Sequence, residues 1–185
     1  LGAEQHGHMQ AVGYDLYCKM LNEAVKHLKG ETEEEEEYMT TVDLNVDAYI
    51  PDSYIANEYQ KLDIYKRIAA IENEDEMEDM TEELIDRFGP IPQEVENLLQ
   101  TIEIKQLCYA ANVAKVDAGA KGILIAFRNN TFAAADKLID LVTKSFGVLQ
   151  IRPDQKLFVS KDLSQYSERI AVLKKTIAKL KDLLA

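Results

Sequence analysis

The chain has 185 residues, 46% of them apolar and 29% charged, enough for one domain that buries roughly 70% of its unfolded surface. That balance excludes wholesale disorder and fibrous repeats, and no apolar run approaches the length of about 20 residues that a membrane-spanning helix needs. The 21 basic and 33 acidic residues leave a net charge of −12, which repels phosphate backbones and favours a basic protein surface over nucleic acid as partner. Leu1 to Gln10 lacks the basic stretch and apolar run of a signal peptide, so a cytoplasmic protein is expected. The start without methionine, inside a polar glycine-containing segment, reads as a piece of a longer polypeptide.

In chain order, Met9, Val12, Leu16, Met20, Ala24 and Leu28 recur at helical spacing and Gly30 supplies a stop. Glu31 to Glu37 holds six glutamates in seven residues and reads as a self-repelling linker; the alternative is an acidic tract that captures a basic protein or a cation. Val42 to Ile50 alternates apolar and polar residues, which predicts a strand ended by Pro51. Tyr54 to Ile71 returns to helical spacing. A second helix is expected from about Asp75 to Phe88, stopped by Gly89-Pro90, and a third from Pro92 to about Lys115.

Gly119 and Gly122 then bracket a turn before an apolar strand, Ile123 to Phe127. Asn129-Asn130 is expected to cap a helix from Phe132 to Phe146, and Val148–Ile151 and Leu157–Ser160 flank turn residues as a hairpin would. In the last helix, from Gln165, the seam Tyr166, Ile170, Leu173, Ile177, Leu180 and Leu184 is too short for a coiled coil and is expected to pack on the domain's own sheet. The pattern predicts an α+β fold with a small mixed, mostly antiparallel sheet packed with several helices. A long N-terminal helix and the acidic linker precede it, giving segments 1–30, 31–40 and 41–185.

No catalytic arrangement emerges. The chain has no phosphate-binding GxxxxGK[ST] loop, and Gly119-Ala120-Lys121-Gly122 lacks the length and hydroxyl of one. His6 and His8 have no third spaced ligand, and His27 near a helix end suits the macrodipole. Cys18 and Cys108, ninety positions apart, read as buried small hydrophobes rather than a disulfide or a metal site. Neither a cofactor nor a metal is implied, and the chain is expected to be no enzyme; a hydrolase would need a pocket of carboxylates with raised pKa values. From Glu72 to Asp86 there are nine acidic residues and no basic one. Met77, Met80, Leu84 and Phe88 fall on one helical stripe, with Asp79, Glu83 and Asp86 on the far side. The carboxylates are a solvated face or a docking face for arginines, which pair with carboxylates in bidentate fashion.

Leu1-Gly2-Ala3-Glu4-Gln5-His6-Gly7-His8 with Val12-Gly13-Tyr14-Asp15-Leu16-Tyr17 resembles the end of the translocation motif and the exit helix of bacterial transcription-repair coupling factors. Part of that string is shared with RecG-like translocases. Tyr65-Lys66-Arg67-Ile68-Ala69 and Glu83-Leu84-Ile85-Asp86-Arg87-Phe88-Gly89 resemble signatures of the family's C-terminal domain. The resemblance implies a parent that is an ATP-driven translocase on double-stranded DNA, removing stalled RNA polymerase and recruiting nucleotide-excision repair, with no ATPase in this chain. It also implies a regulatory domain that docks on the parent's own UvrB-like module and masks its UvrA-binding surface. Carried over by position, Gln5 is the glutamine coupling ATP hydrolysis to movement, and Glu83, Asp86 and Arg87 are the contacts toward the UvrB-like module; His6-Gly7-His8 departs from the Ser-Gly of the family pattern. The rival reading is a purely structural domain that stabilises the motor.

Overall fold

The computed structural model describes residues 40–185; the expected exit helix, the linker residues 31–39, Gln5, His6, His8, Cys18 and His27 lie outside them. The described residues divide into two compact units, 46–102 and 40–45 with 103–185. The chain passes between them after Asn45 and again inside a helix, so each is built here from its own contacts.

In the first unit, helices α1 (Glu58–Ala69) and α2 (Glu74–Phe88) and the first half of α3 (Gln93–Ala110) follow the predicted periodicity. Asn57 caps α1 by accepting from the Gln60 N–H at 3.0 Å, so the helix starts there and not at Tyr54. The residues before it form a turn, in which the Pro51 carbonyl accepts from Tyr54 and Ile55. Ile64, Ile68, Leu84, Val95 and Leu98 are wholly buried in one apolar cluster with Ile50 and Ile55. The Tyr65 hydroxyl, inside this cluster, accepts the Ile50 N–H at 2.8 Å, which satisfies a buried donor that no ladder serves.

The second unit is a five-stranded sheet of β1 (Thr41–Asp43), β2 (Val113–Gly119), β3 (Gly122–Phe127), β4 (Leu149–Ile151) and β5 (Leu157–Ser160), in the order β1-β2-β3-β5-β4. β1 lies parallel to β2 and the remaining pairs are antiparallel. Helices α4 (Ala135–Lys144) and α5 (Tyr166–Leu183) belong to the same unit. Alternation sends Val116, Ala118, Ile123, Ile125, Leu157 and Val159 inward. The seam Ile170, Leu173, Ile177 and Leu180 of α5 is buried, and the helix packs on β2 as expected. Gly119 pairs with Gly122 across a two-residue loop. A Cβ on Gly122 would lie 2.2 Å from the Val159 carbonyl, a close approach that only glycine permits.

Three sequence expectations are corrected, two of them by asparagines that take left-handed backbone in place of continuing an element. The strand expected over Val42 to Ile50 ends at Asp43, because Asn45 has φ 55°. Its N–H bonds the Asp43 carboxylate at 2.8 Å and its side chain donates to Asp117 and to the Ala118 carbonyl. The helix expected to reach Lys115 stops at Ala110, Asn112 has φ 60°, and Val113 onward becomes β2. Asn129 and Asn130 do not cap a helix. Both have positive φ in a short 3₁₀ turn, and α4 begins only at Ala135 without a side-chain cap. Phe132, packed on Phe127 with ring centroids 5.0 Å apart, holds the intervening chain to the core.

Arg169 is buried, at 7% exposure, and is satisfied by carbonyls alone: Nε and Nη2 donate to Leu163 and Nη1 donates to Leu44 at 2.7 Å. Removing the guanidinium strands two buried acceptors, which costs about 2–4 kcal/mol. Arg169→Met is therefore expected to lower the unfolding free energy by that amount, read as a lower urea midpoint at an unchanged m-value; an effect within the range of about ±0.5 kcal/mol typical of surface changes would contradict this role.

Candidate functional site: the outer face of helix α2

The acidic helix is built from its ends inward. Asn73 accepts from the Glu76 N–H at 2.9 Å, and the Glu76 carboxylate reaches back to the Glu72 N–H at 2.7 Å, an arrangement close to a capping box. Glu74, Asp75 and Glu76 thus sit in the first turn, where the macrodipole favours negative charge, so three of the acidic residues are accounted for by the helix start. At the other end Gly89 has φ 92° and its N–H closes on the Ile85 carbonyl. The Tyr54 hydroxyl bridges the Leu84 and Gly89 carbonyls at 3.1 and 2.9 Å, and its ring lies 5.8 Å from that of Phe88.

Met80 and Leu84 are buried, and Met77 and Phe88 pack against the same core, as the sequence stripe predicts. Glu78, Asp79, Glu82 and Asp86 are exposed, and no hydrogen bond or ion pair within the described residues engages any of the four. Glu83 differs, and here the outward placement expected from helical spacing is corrected. It is half-buried and gripped by two guanidinium groups of this same unit. Arg67 from α1 takes it in a bidentate fork, with Nη2 to Oε1 at 2.6 Å and Nη1 on Oε2, and Arg87, one turn on, donates to Oε2 at 3.0 Å. Arg87 also lies over the Phe88 ring, 4.9 Å from its centroid, and suits the helix C-terminus. The fork from Arg67 is the main reason that the Glu83 carboxyl is held down at about 2, with Arg87 adding to it against a smaller opposing cost of burial.

The electrostatics of this face suit charge pairing. Glu83 is displaced in the wrong direction for a general acid at neutral pH. Burial pushes the Cys108 thiol up to about 12, far from a reactive thiolate. Gly119 to Gly122 is the β-hairpin turn. No group of metal-ligating side chains occurs among the described residues, and no described helix is long and apolar enough to cross a membrane. The role of Arg67 escaped the sequence reading because it lies on a different helix, 16 positions from Glu83; the signal available was a lone arginine on the polar side of α1.

Sign and window of the Glu83 contribution follow from its lowered pKa: it is complete above the ordinary carboxylate value of 4.5 and is lost as pH falls toward about 2. Glu83→Gln is expected to cost about 1 kcal/mol at pH 7, because the pairs are partly exposed, and to flatten the pH dependence of stability below 4.5. A denaturation series that keeps the parent slope between pH 4.5 and 2 would exclude the ion pairs as a stabilising unit.

Residues 44–138 match the family model described as the TRCF domain. Transcription-repair-coupling factors from Rickettsia conorii and Haemophilus influenzae are each 38% identical, over 88% and 92% of this chain, and that of Bacillus subtilis is 38% identical over 76%. The chain spans only 12–15% of the length of these relatives. A crystal structure of the C-terminal domain of transcription-repair coupling factor superposes with a TM-score of 0.61 at 26% identity, covering 77% of this chain and 94% of that one. The chain thus belongs to the transcription-repair-coupling factor family and has the α+β fold of that family's C-terminal domain.

Proposed function

We propose that this chain is a regulatory protein-binding domain that docks through the outer face of α2 on the UvrB-like module of its own parent and masks the surface used by UvrA. The observation that carries the reading is the division of labour on that face. Glu83 is spent inside the unit, whereas Asp86 stands exposed beside an Arg87 fixed in position by Glu83 and Phe88. A fixed cation next to an anion unpaired among the described residues is a two-charge pattern that a complementary pair can read, and bidentate guanidinium–carboxylate contacts fix orientation. Asp86 and Arg87 are the contact residues in this reading, and Glu83 positions Arg87.

Exposed pairs contribute only about 0.2–1 kcal/mol each. Within one polypeptide the two surfaces meet at an effective concentration that reaches roughly millimolar, so a few such pairs hold the site covered. A latch worth only a few kcal/mol remains openable by a motor that changes shape on DNA. The remaining functions of the parent, with RNA polymerase, double-stranded DNA, ATP and UvrA as partners and Gln5 as its coupling residue, belong to the same proposal.

Asp86→Lys combined with Arg87→Glu in the parent should raise UvrA capture in a pull-down without DNA or polymerase by about tenfold, the equivalent of about 1.4 kcal/mol of lost latch. Capture equal to that of the parent protein, with circular dichroism showing an intact fold, would sink the latch.

A further inference from the structure

Arg87 is held at two points of different origin. One is the Glu83 carboxylate, a turn back on the same helix, at 3.0 Å. The other is the ring of Phe88, with the guanidinium 4.9 Å from its centroid. With 40% of its side chain exposed, Arg87 still keeps room for a partner. A phenylalanine in the last turn of a helix can turn about its side-chain bonds, so the second hold is only as firm as whatever pins that ring.

What pins it from outside α2 is Tyr54, in the turn that precedes α1. The Pro51 carbonyl accepts from the Tyr54 N–H at 3.0 Å and from the Ile55 N–H at 3.1 Å, and Ile55 is buried in the core against which Tyr54 and Phe88 both pack. From this fixed turn the tyrosine ring meets that of Phe88 at 5.8 Å between centroids and a tilt of 56°, a favourable aromatic arrangement. Its hydroxyl stands 3.1 Å from the Leu84 carbonyl and 2.9 Å from that of Gly89. A phenol has one proton to donate, so the two carbonyls share it. They flank Arg87 and Phe88 in the chain, and one group from another segment thereby closes the last turn of the helix. Burial pushes the Tyr54 hydroxyl up from its ordinary value, so the donor keeps its proton at neutral pH.

We infer that Tyr54 is a positioning residue of the docking face: through Phe88, and from outside α2, it holds the Arg87 guanidinium in the orientation that a carboxylate of the partner surface meets. This role rests on the docking proposed above and adds to it a residue from a different segment. An arginine that is already ordered gives up less side-chain freedom on docking, so the contact strengthens without gaining a bond. Glu83 supplies one hold from within the helix and Tyr54 the other.

Two measurements separate this role from the docking itself and from simple support of the fold. In the full chain, nitrogen relaxation of the Arg87 Nε–H group reports how firmly the guanidinium is held. Tyr54→Phe keeps the ring and removes only the hydroxyl; it should lower the order parameter of Arg87 and leave that of Arg67, with the circular dichroism unchanged. Phe88→Leu, which takes away the ring beneath Arg87, should act alike and serves if the tyrosine variant folds poorly. In the parent, Tyr54→Phe should raise UvrA capture without DNA or polymerase by about threefold. It should add nothing in an Arg87→Ala background, where a loss of fold stability would still show. An Arg87 as ordered in both variants as in the unaltered chain, or additive effects of Tyr54→Phe and Arg87→Ala on capture, would overturn the role of Tyr54. Arg87 loosened in both variants with capture unchanged would instead overturn the docking of this face, and with it any part that Tyr54 plays there.

Discussion

The interaction on which the acidic helix depends is the pair of guanidinium groups closed on Glu83. Arg67 arrives from α1 and Arg87 from the following turn of α2, and between them they occupy both carboxylate oxygens. The two helices are thereby tied at their surface as well as through Ile64, Ile68 and Leu84 beneath. The same contact decides what α2 can offer a partner. A carboxylate already saturated by two cations has little left for a third, so the docking proposed for this face rests on Asp86 and on the side of Arg87 left outside the cluster. Helical spacing alone would rank Glu83 and Asp86 as equals; the packing of α1 makes them different.

That difference also marks how far the sequence reaches. The limits of α2 are legible because Asn73 and Gly89 are strong punctuation and the Met80–Leu84 stripe has one period. The hairpin of β4 and β5 is legible from its turn residues, and the burial of α5 from its three-four seam. The partner of Glu83 is not legible, since a period says which side a residue faces and nothing about which neighbouring helix brings a charge there. Val113 to Gly119 is hidden for another reason: Ala110, Ala111 and Ala114 prolong a helical pattern, and only the left-handed turn at Asn112 and pairing with β3 make it a strand. The asparagines at 45, 112, 129 and 130 share this ambiguity, because the residue that best caps a helix also best tolerates positive φ.

Charge links these local facts to function. Residues 46–102 hold 15 acidic and 4 basic side chains, and residues 103–185 hold 8 acidic and 14 basic ones. An acidic unit and a basic one coexist in a chain whose total describes neither, so electrostatic partners have to be assigned face by face. In the proposed docking of the α2 face the individual pairs are exposed and weak, and strength comes from tethering. Such contacts suit a domain whose relatives belong to a repair-coupling machine, because they are specific in register yet open at small cost.

A double-mutant cycle on stability measures the central claim most directly, using Arg67→Met and Glu83→Gln singly and together, with Asp86→Asn as the comparison. The Glu83 cluster predicts a coupling of about 1 kcal/mol between Arg67 and Glu83, and none beyond the about 0.3–0.5 kcal/mol of independent sites between Arg67 and Asp86. Equal couplings, or none with Glu83, would contradict the assignment of the two carboxylates to different tasks.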